Sequence, residues 1–271
     1  MQIILALFFL GLIQGLTEFL PVSSSGHLVL FSKIFGIEES LLVSILLHVA
    51  TLLSIIVVFH KDVWQIIRHP FSKLTTTLVV ATIPTCLIVL ILMPLVKASF
   101  SGFALPVCFV ITAAVLLLSE TLAKKNKKTG KSTDSDKNAD IGQDNFQSID
   151  YKTAFFMGVA QGFAVFPGIS RSGSTISAGL LSGKDKKEIA KFSFLMSIPV
   201  ILLSLVMEVY DICTGGVVIN VPIWGILLSC LAAFAVGVFA IKVMIKLTEK
   251  SSLKWFSYYL VILSVVSLFI V

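Results

Sequence analysis

The chain has 271 residues, 56% of them hydrophobic and only 13% charged, with 21 Lys and Arg against 15 Asp and Glu for a net charge of +6. That much apolar surface excludes a soluble globule of this size and indicates an integral membrane protein. The basic excess is a matter of membrane topology and not a nucleic-acid footprint.

Residues 1–32 are apolar but interrupted by Pro, Gly and Ser, and read as two half-helices that dip into the membrane and return, not as one span. Met1 opens this segment without a basic leader or a clear cleavage signature, so no signal peptide is expected. Residues 40–59 follow with no charge, His48 being the one titratable group, and read as a spanning helix with His48 a satisfied core residue. His60 to Lys73 mixes Trp64, Ile66, Ile67 and Phe71 with Lys61 and Arg68, as an interfacial connection does. Residues 74–96 and 98–119 are two further uncharged spans, and 124–152 is a polar linker rich in Lys, Asp, Ser and Asn. The interrupted pattern returns over 153–183, followed by a short apolar run at 192–207 and by uncharged runs at 212–241 and 255–271. Cys86, Cys108, Cys213 and Cys230 lie singly in or beside apolar segments, as packing residues and not as a disulfide or metal framework.

Threaded in this order, 18 of the 21 Lys and Arg fall on one side of the membrane, Lys33 and Lys97 on the other, and Arg171 within. The basic side is then cytoplasmic and both termini face outward. The fold expected is all-α: six transmembrane helices plus two re-entrant helix pairs in an inverted-topology repeat. The first repeat covers 1–123, the cytoplasmic linker 124–152 and the second repeat 153–271.

A shift of 147 positions aligns Gly11, Gln14, Gly15, Phe19, Ser23, Ser25 and Gly26 with Gly158, Gln161, Gly162, Phe166, Ser170, Ser172 and Gly173, which is 7 identities over 16 positions. The disagreements carry the chemistry: Glu18 stands against Val165, Ser24 against Arg171 and His27 against Ser174. A guanidinium at membrane depth costs several kcal/mol, roughly 2.5–3.5 on lenient scales, so Arg171 calls for an anion or a partner. Ser23-Ser24-Ser25-Gly26 and Ser170-Arg171-Ser172-Gly173 follow Pro21 and Pro167, as helix starts with capping hydroxyls do. Two such ends near the midplane, with the planar fork of Arg171, suit a phosphate group. Ser23, Ser25, Gln14, Gln161, Ser170, Ser172 and Thr175 are candidate substrate contacts around them. Gln14 and Glu18 share a helix face at i, i+4. Glu18 can ligate a divalent cation, accept a proton or pair with Arg171, and the plain ion pair between repeats is the competing structural reading. His27, beside the triple serine, is a second group able to move protons.

The stretches Gln14-Gly15-Leu16-Thr17-Glu18-Phe19-Leu20-Pro21-Val22-Ser23-Ser24-Ser25-Gly26-His27 and Pro167-Gly168-Ile169-Ser170-Arg171-Ser172-Gly173-Ser174-Thr175 resemble the two signature motifs of the bacterial undecaprenyl-diphosphatases, the bacitracin-resistance type. Segment order and length agree outside the linker. The resemblance implies hydrolysis of undecaprenyl diphosphate to the monophosphate carrier for cell-wall synthesis, in the bacterial plasma membrane with the site toward the outer face. It implies activation by Mg2+ or Ca2+ and catalytic roles for Glu18, Ser24, His27 and Arg171, with Ser24, His27 or water as nucleophile. Many members carry a second acid where this chain has Gln14, a weaker ligand, so Glu18 is the main candidate for the metal. Expected partners are the polyprenyl diphosphate, membrane lipids and a second copy of the chain in a homodimer. The other function compatible with inverted broken helices is a transporter or flippase of a polyprenyl phosphate lipid. Ser25-Gly26-His27 superficially resembles the phosphatidic-acid-type lipid phosphatases too, but Ser177 stands where their last motif needs His.

Overall fold

With no water at membrane depth to satisfy the backbone, apolar runs of this kind must bond internally, and every regular element among the described residues of the computed structural model, 2–37, 41–99, 104–128, 146, 149–215 and 221–271, is a helix. In chain order the helices are α1 Gln2–Thr17, α2 Ser24–Phe35, α3 Leu41–Val58, α4 His60–Arg68, α5 Lys73–Ser99, α6 Leu105–Lys128, α7 Tyr151–Phe163, α8 Arg171–Leu181, α9 Lys186–Gly215, α10 Ile223–Lys250 and α11 Lys254–Ile270. Most of the expected linker, residues 129–145 and 147–148, lies outside the described residues.

Among the described residues four helices are long and apolar enough to cross a membrane: α5, α6, α9 and α10. The apolar α3 joins α4 through a bend of 86° at Phe59, and α1 and α11 are shorter apolar helices. α4 buries none of its residues, in keeping with an interfacial connection. The two interrupted segments are each a pair of short helices: α1 with α2, and α7 with α8. At 1.5 Å per residue α2, α7 and α8 are only about 17–20 Å long, well short of a bilayer core of about 30 Å.

Some boundaries differ from those read in the sequence. α5 continues to Ser99 and α6 starts at Leu105, where the uncharged run 98–119 shows no stop. α9 passes Glu208 and ends at Gly215, and α10 begins behind Pro222, so residues 212–241 are not one helix. A single charge does not end a helix, whereas Pro at an N-terminus starts one. α6 reaches Lys128 and α7 begins at Tyr151, so regular structure enters both ends of the expected linker.

The short helices are held by close crossings. α1 packs on α10 with Gly11 against the Ser229 carbonyl, and α7 packs on α5 with Gly158 against the Ala81 carbonyl; a Cβ at either glycine would overlap that backbone. Thr85 Oγ1 donates to the Gly158 carbonyl at 2.8 Å, and Ser54 Oγ ties α3 to the Phe234 carbonyl of α10 at 2.9 Å. α6 and α11 lie together, with Ser264 Oγ donating to the Pro106 carbonyl at 2.8 Å. At one end of the bundle buried Glu120 accepts from the Leu253 N–H at 2.7 Å and faces Lys124 and Lys186, each at 3.4 Å. The four cysteines are free. The core meets the first break at Phe19, fully buried and edge-on to Phe194 of α9 with ring centroids 5.6 Å apart.

Candidate active site

Pro21 and Pro167 lie within the two breaks, and the serines behind them cap the helices that follow. Ser23 Oγ accepts the Gly26 N–H at 3.3 Å and Ser170 Oγ accepts the Gly173 N–H at 3.0 Å. Ser24 and Arg171 therefore occupy the same position, the first residue of α2 and of α8. The two helix starts touch: the Gly168 N–H donates to Ser23 Oγ at 3.1 Å, and Ser172 Oγ donates to the Leu20 carbonyl at 2.8 Å. Gly168 has φ 94°, a left-handed turn that a side chain would strain.

Glu18 sits just past the end of α1, its N–H still bonded to the Gln14 carbonyl at 3.0 Å. Its carboxylate is the hub of the cluster. One oxygen accepts from the Arg171 guanidinium; the other accepts from the Ser24 hydroxyl and, at 3.0 Å, from the Gln14 amide nitrogen. Only 4% of the Glu18 side chain is exposed, against 20% for Arg171, so an incoming anion meets the cation first. His48 of α3 keeps the Ser44 carbonyl at 2.8 Å from Nδ1, the satisfied state expected of it, but it is also within electrostatic reach of Glu18. Its place in mid-span, with no motif around it, gives no sign of this in the sequence.

The amide nitrogen of Gln14 must face the carboxylate, which only accepts, and the amide oxygen turns away. That oxygen is buried without a hydrogen-bond partner among the described residues. Glu18 is the carboxylate here that could ligate a divalent cation, which would draw most of its other ligands from water and phosphate. Among the described residues no group of three or more His, Cys, Asp or Glu would hold a metal unaided.

His27 is buried and saturated: Nδ1 lies 2.7 Å from the Ser23 carbonyl and Nε2 2.7 Å from the Tyr259 hydroxyl of α11. Nothing in the local sequence pointed to Tyr259, which comes from the other end of the chain. Ser25 Oγ lies 3.4 Å from Ser23 Oγ, and Ser170 Oγ 3.3 Å from Ser172 Oγ, so each helix start carries its own pair of neighbouring hydroxyls. Two expected contacts face elsewhere. Thr175 Oγ1 donates to the Arg171 carbonyl at 2.9 Å and lies 2.6 Å from Ser193 Oγ of α9. Gln161 donates to Thr85 of α5 at 3.3 Å, its amide oxygen buried and unpartnered like that of its repeat counterpart Gln14.

What the cluster can do follows from these positions. A fixed cation with free N–H groups can hold phosphate oxygens, two helix N-termini add partial positive charge, and a serine hydroxyl is bonded to a carboxylate that can take its proton.

Known proteins resemble this chain over nearly all of its length. The family model for "Bacitracin resistance protein BacA" matches residues 7–266. An undecaprenyl-diphosphatase of Carboxydothermus hydrogenoformans is 40% identical over 259 residues, 94% of this chain and 93% of its own. One of Christiangramia forsetii is 40% identical over 262 residues, 92% and 91% of the two chains. One of Methanobrevibacter smithii is 34% identical over 279 aligned positions, 95% and 94%.

Proposed function

The chain belongs to the bacitracin resistance protein BacA family, and we propose from that premise how its buried cluster works. It is a multi-pass membrane enzyme that hydrolyses undecaprenyl diphosphate to undecaprenyl phosphate and inorganic phosphate, returning the lipid carrier to cell-wall synthesis. The observation that carries the mechanism is the hub at Glu18, which joins the Arg171 guanidinium of α8 to the Ser24 hydroxyl at the start of α2.

Arg171 and the N-termini of α2 and α8 bind the diphosphate and stabilise the charge on the transferring phosphoryl group. Ser24 is the nucleophile. Its oxygen bonds to the terminal phosphorus as its proton passes to Glu18; the bond to the bridging oxygen breaks, and undecaprenyl phosphate leaves. Water then cleaves the phosphoserine and releases inorganic phosphate. A divalent cation, Mg2+ or Ca2+, would be held by Glu18 with the Gln14 amide oxygen as a weak second ligand, and would neutralise phosphate charge. Ser23, Ser25, Ser170 and Ser172 line the phosphate side of the two helix starts.

The architecture we infer is an inverted repeat: 1–123 and 153–271, each a re-entrant pair plus three spans, joined by a cytoplasmic linker at 124–152. Supporting it are the short helices around each motif, the matching glycine crossings at Gly11 and Gly158, and the 18-to-2 division of basic residues. On this threading the termini lie outside and the site opens to the outer face of the plasma membrane.

Phosphate release by the purified protein in detergent tests the catalytic reading, since transport has no meaning there. Release that depends on Ser24, Glu18 and Arg171 is expected; release unaffected by Ser24→Ala would contradict the nucleophile assignment.

A further inference from the structure

The two repeats differ at one backbone position as well as in their side chains. Ser23, the cap of α2, has φ 67° and ψ 96° and is the one non-glycine residue with positive φ among the described residues; its counterpart Ser170 has an ordinary extended backbone at φ −75° and ψ 118°. A non-glycine residue in a sparse region costs on the order of 1–3 kcal/mol and persists only where its surroundings over-determine it. The first repeat supplies that grip through the residue four positions on. His27 holds the Ser23 carbonyl twice, by its own N–H at 3.2 Å and by Nδ1 at 2.7 Å. In the second repeat the corresponding residue is Ser174, whose N–H alone reaches the Ser170 carbonyl, at 2.9 Å. The imidazole occurs in the copy whose cap is left-handed.

The hydrogen bonds also fix the state of the ring. A carbonyl only accepts, so Nδ1 carries the proton, and Nε2 of the neutral imidazole is then an acceptor. The Tyr259 hydroxyl at 2.7 Å donates to it. The tyrosine ring lies parallel to the imidazole, 11° between planes and 5.7 Å between centroids, while Phe109 of α6 meets the imidazole edge-on at 5.9 Å. Both nitrogens are in use, and neither is free for phosphorus or for the Ser24 proton.

We propose that Tyr259 is a positioning residue of this active site: it pins His27 in its Nδ1–H tautomer, and His27 holds the left-handed Ser23 peptide that aims the Ser24 hydroxyl at Glu18. The asymmetry between the repeats then has a physical reason other than proton transfer. The inference rests on the reading of Ser24, Glu18 and Arg171 as the reacting cluster.

The test uses full-length protein in detergent, undecaprenyl diphosphate as substrate, phosphate release as the readout, and folded fractions checked by thermal melting. Tyr259→Phe keeps the stacked ring and removes one hydrogen bond, so kcat should fall about five- to tenfold with KM within about twofold. His27→Asn sets an amide nitrogen where Nδ1 was and can still donate to the Ser23 carbonyl; His27→Gln sets one near Nε2 and cannot. The asparagine variant should therefore keep about tenfold more activity than the glutamine variant, the worth of a well-placed hydrogen bond. Unchanged kcat in Tyr259→Phe, or equal loss in the two His27 variants, overturns the proposal, the latter pointing to the imidazole as a proton carrier. Arg171→Ala run alongside separates the failures: if it stays active, the reading of the cluster itself has failed, and the proposal falls with it; if it is inactive, the His27 and Tyr259 results judge the proposal alone.

Discussion

Arg171→Lys separates charge from geometry at the centre of the site. Lysine keeps a positive charge beside Glu18, so the buried carboxylate is not abandoned, whereas Arg171→Ala would leave it uncompensated at a cost of roughly 3–5 kcal/mol in stability. What lysine lacks is the planar fork that can bond Glu18 on one arm and phosphate on the other. Arg171 spends one arm on Glu18 while 20% of its side chain stays open to an arriving anion. The lysine ammonium cannot span both, so one charge-assisted hydrogen bond is lost, worth about 1.5–3 kcal/mol. At about 1.4 kcal/mol per decade, kcat/KM should fall roughly 10- to 150-fold. Phosphate release from undecaprenyl diphosphate measures it, with a melting curve to show that the lysine protein is folded. A folded Arg171→Lys enzyme within about twofold of the parent would refute the two-armed role.

Replacing residues 129–145 by a Gly/Ser segment should leave phosphate release within about threefold, because no motif residue lies there and Phe146, buried against Phe192 of α9, is kept; a loss as large as that of Arg171→Ala would bring the linker into the site. Single cysteines placed between 129 and 145 in a cysteine-free background should resist a membrane-impermeant thiol reagent added to intact cells, and one added after Val271 should react, as the 18-to-2 charge division requires; the opposite pattern would invert the threading. Asp150, outside the long apolar helices, caps α7 through the Thr153 N–H at 2.7 Å. Its partial burial favours the neutral acid, but the Thr153 hydrogen bonds, with Lys184 and Lys73, outweigh that and hold the carboxyl below its usual value. A lowered folded value means that the stabilisation is present above the unfolded pKa of about 3.9 and is lost as pH falls through the folded one. Asp150→Ala should therefore cost about 1 kcal/mol at neutral pH and less under acid, and Asp150→Asn should keep most of the cap while removing the pH dependence; a penalty that grows on acidification would contradict the assignment.

The sequence was most informative where chemistry is local. Pro21 and Pro167 followed by serines marked both helix starts, and the i, i+4 spacing of Gln14 and Glu18 became a hydrogen bond of 3.0 Å. The 147-residue shift aligned Ser24 with Arg171, and these residues meet on one carboxylate. Signals failed where apolar residues run on without punctuation. The α5–α6 boundary lies in an uncharged stretch, and the apolar run 192–207 stops at Glu208, yet α9 continues past it. Tyr259 and His48 were invisible as site residues for a different reason. Each is unremarkable among its neighbours in sequence, and only the packing of α11 and α3 around the first break brings it to His27 or within reach of Glu18. Local pattern also cannot report a left-handed serine: Ser23 and Ser170 stand in nearly the same motif and differ in φ.

The central claim is that Glu18 and Arg171 act on the substrate and are not merely an ion pair joining two helix starts. A buried pair that is only structural can often be exchanged for apolar residues of similar volume without loss of stability, and sometimes with a gain of 1–4 kcal/mol. The double variant Glu18→Leu/Arg171→Leu, purified in detergent and shown by melting to be folded, should release no inorganic phosphate from undecaprenyl diphosphate above background. Release near the parental rate by that folded protein would contradict the assignment of both residues.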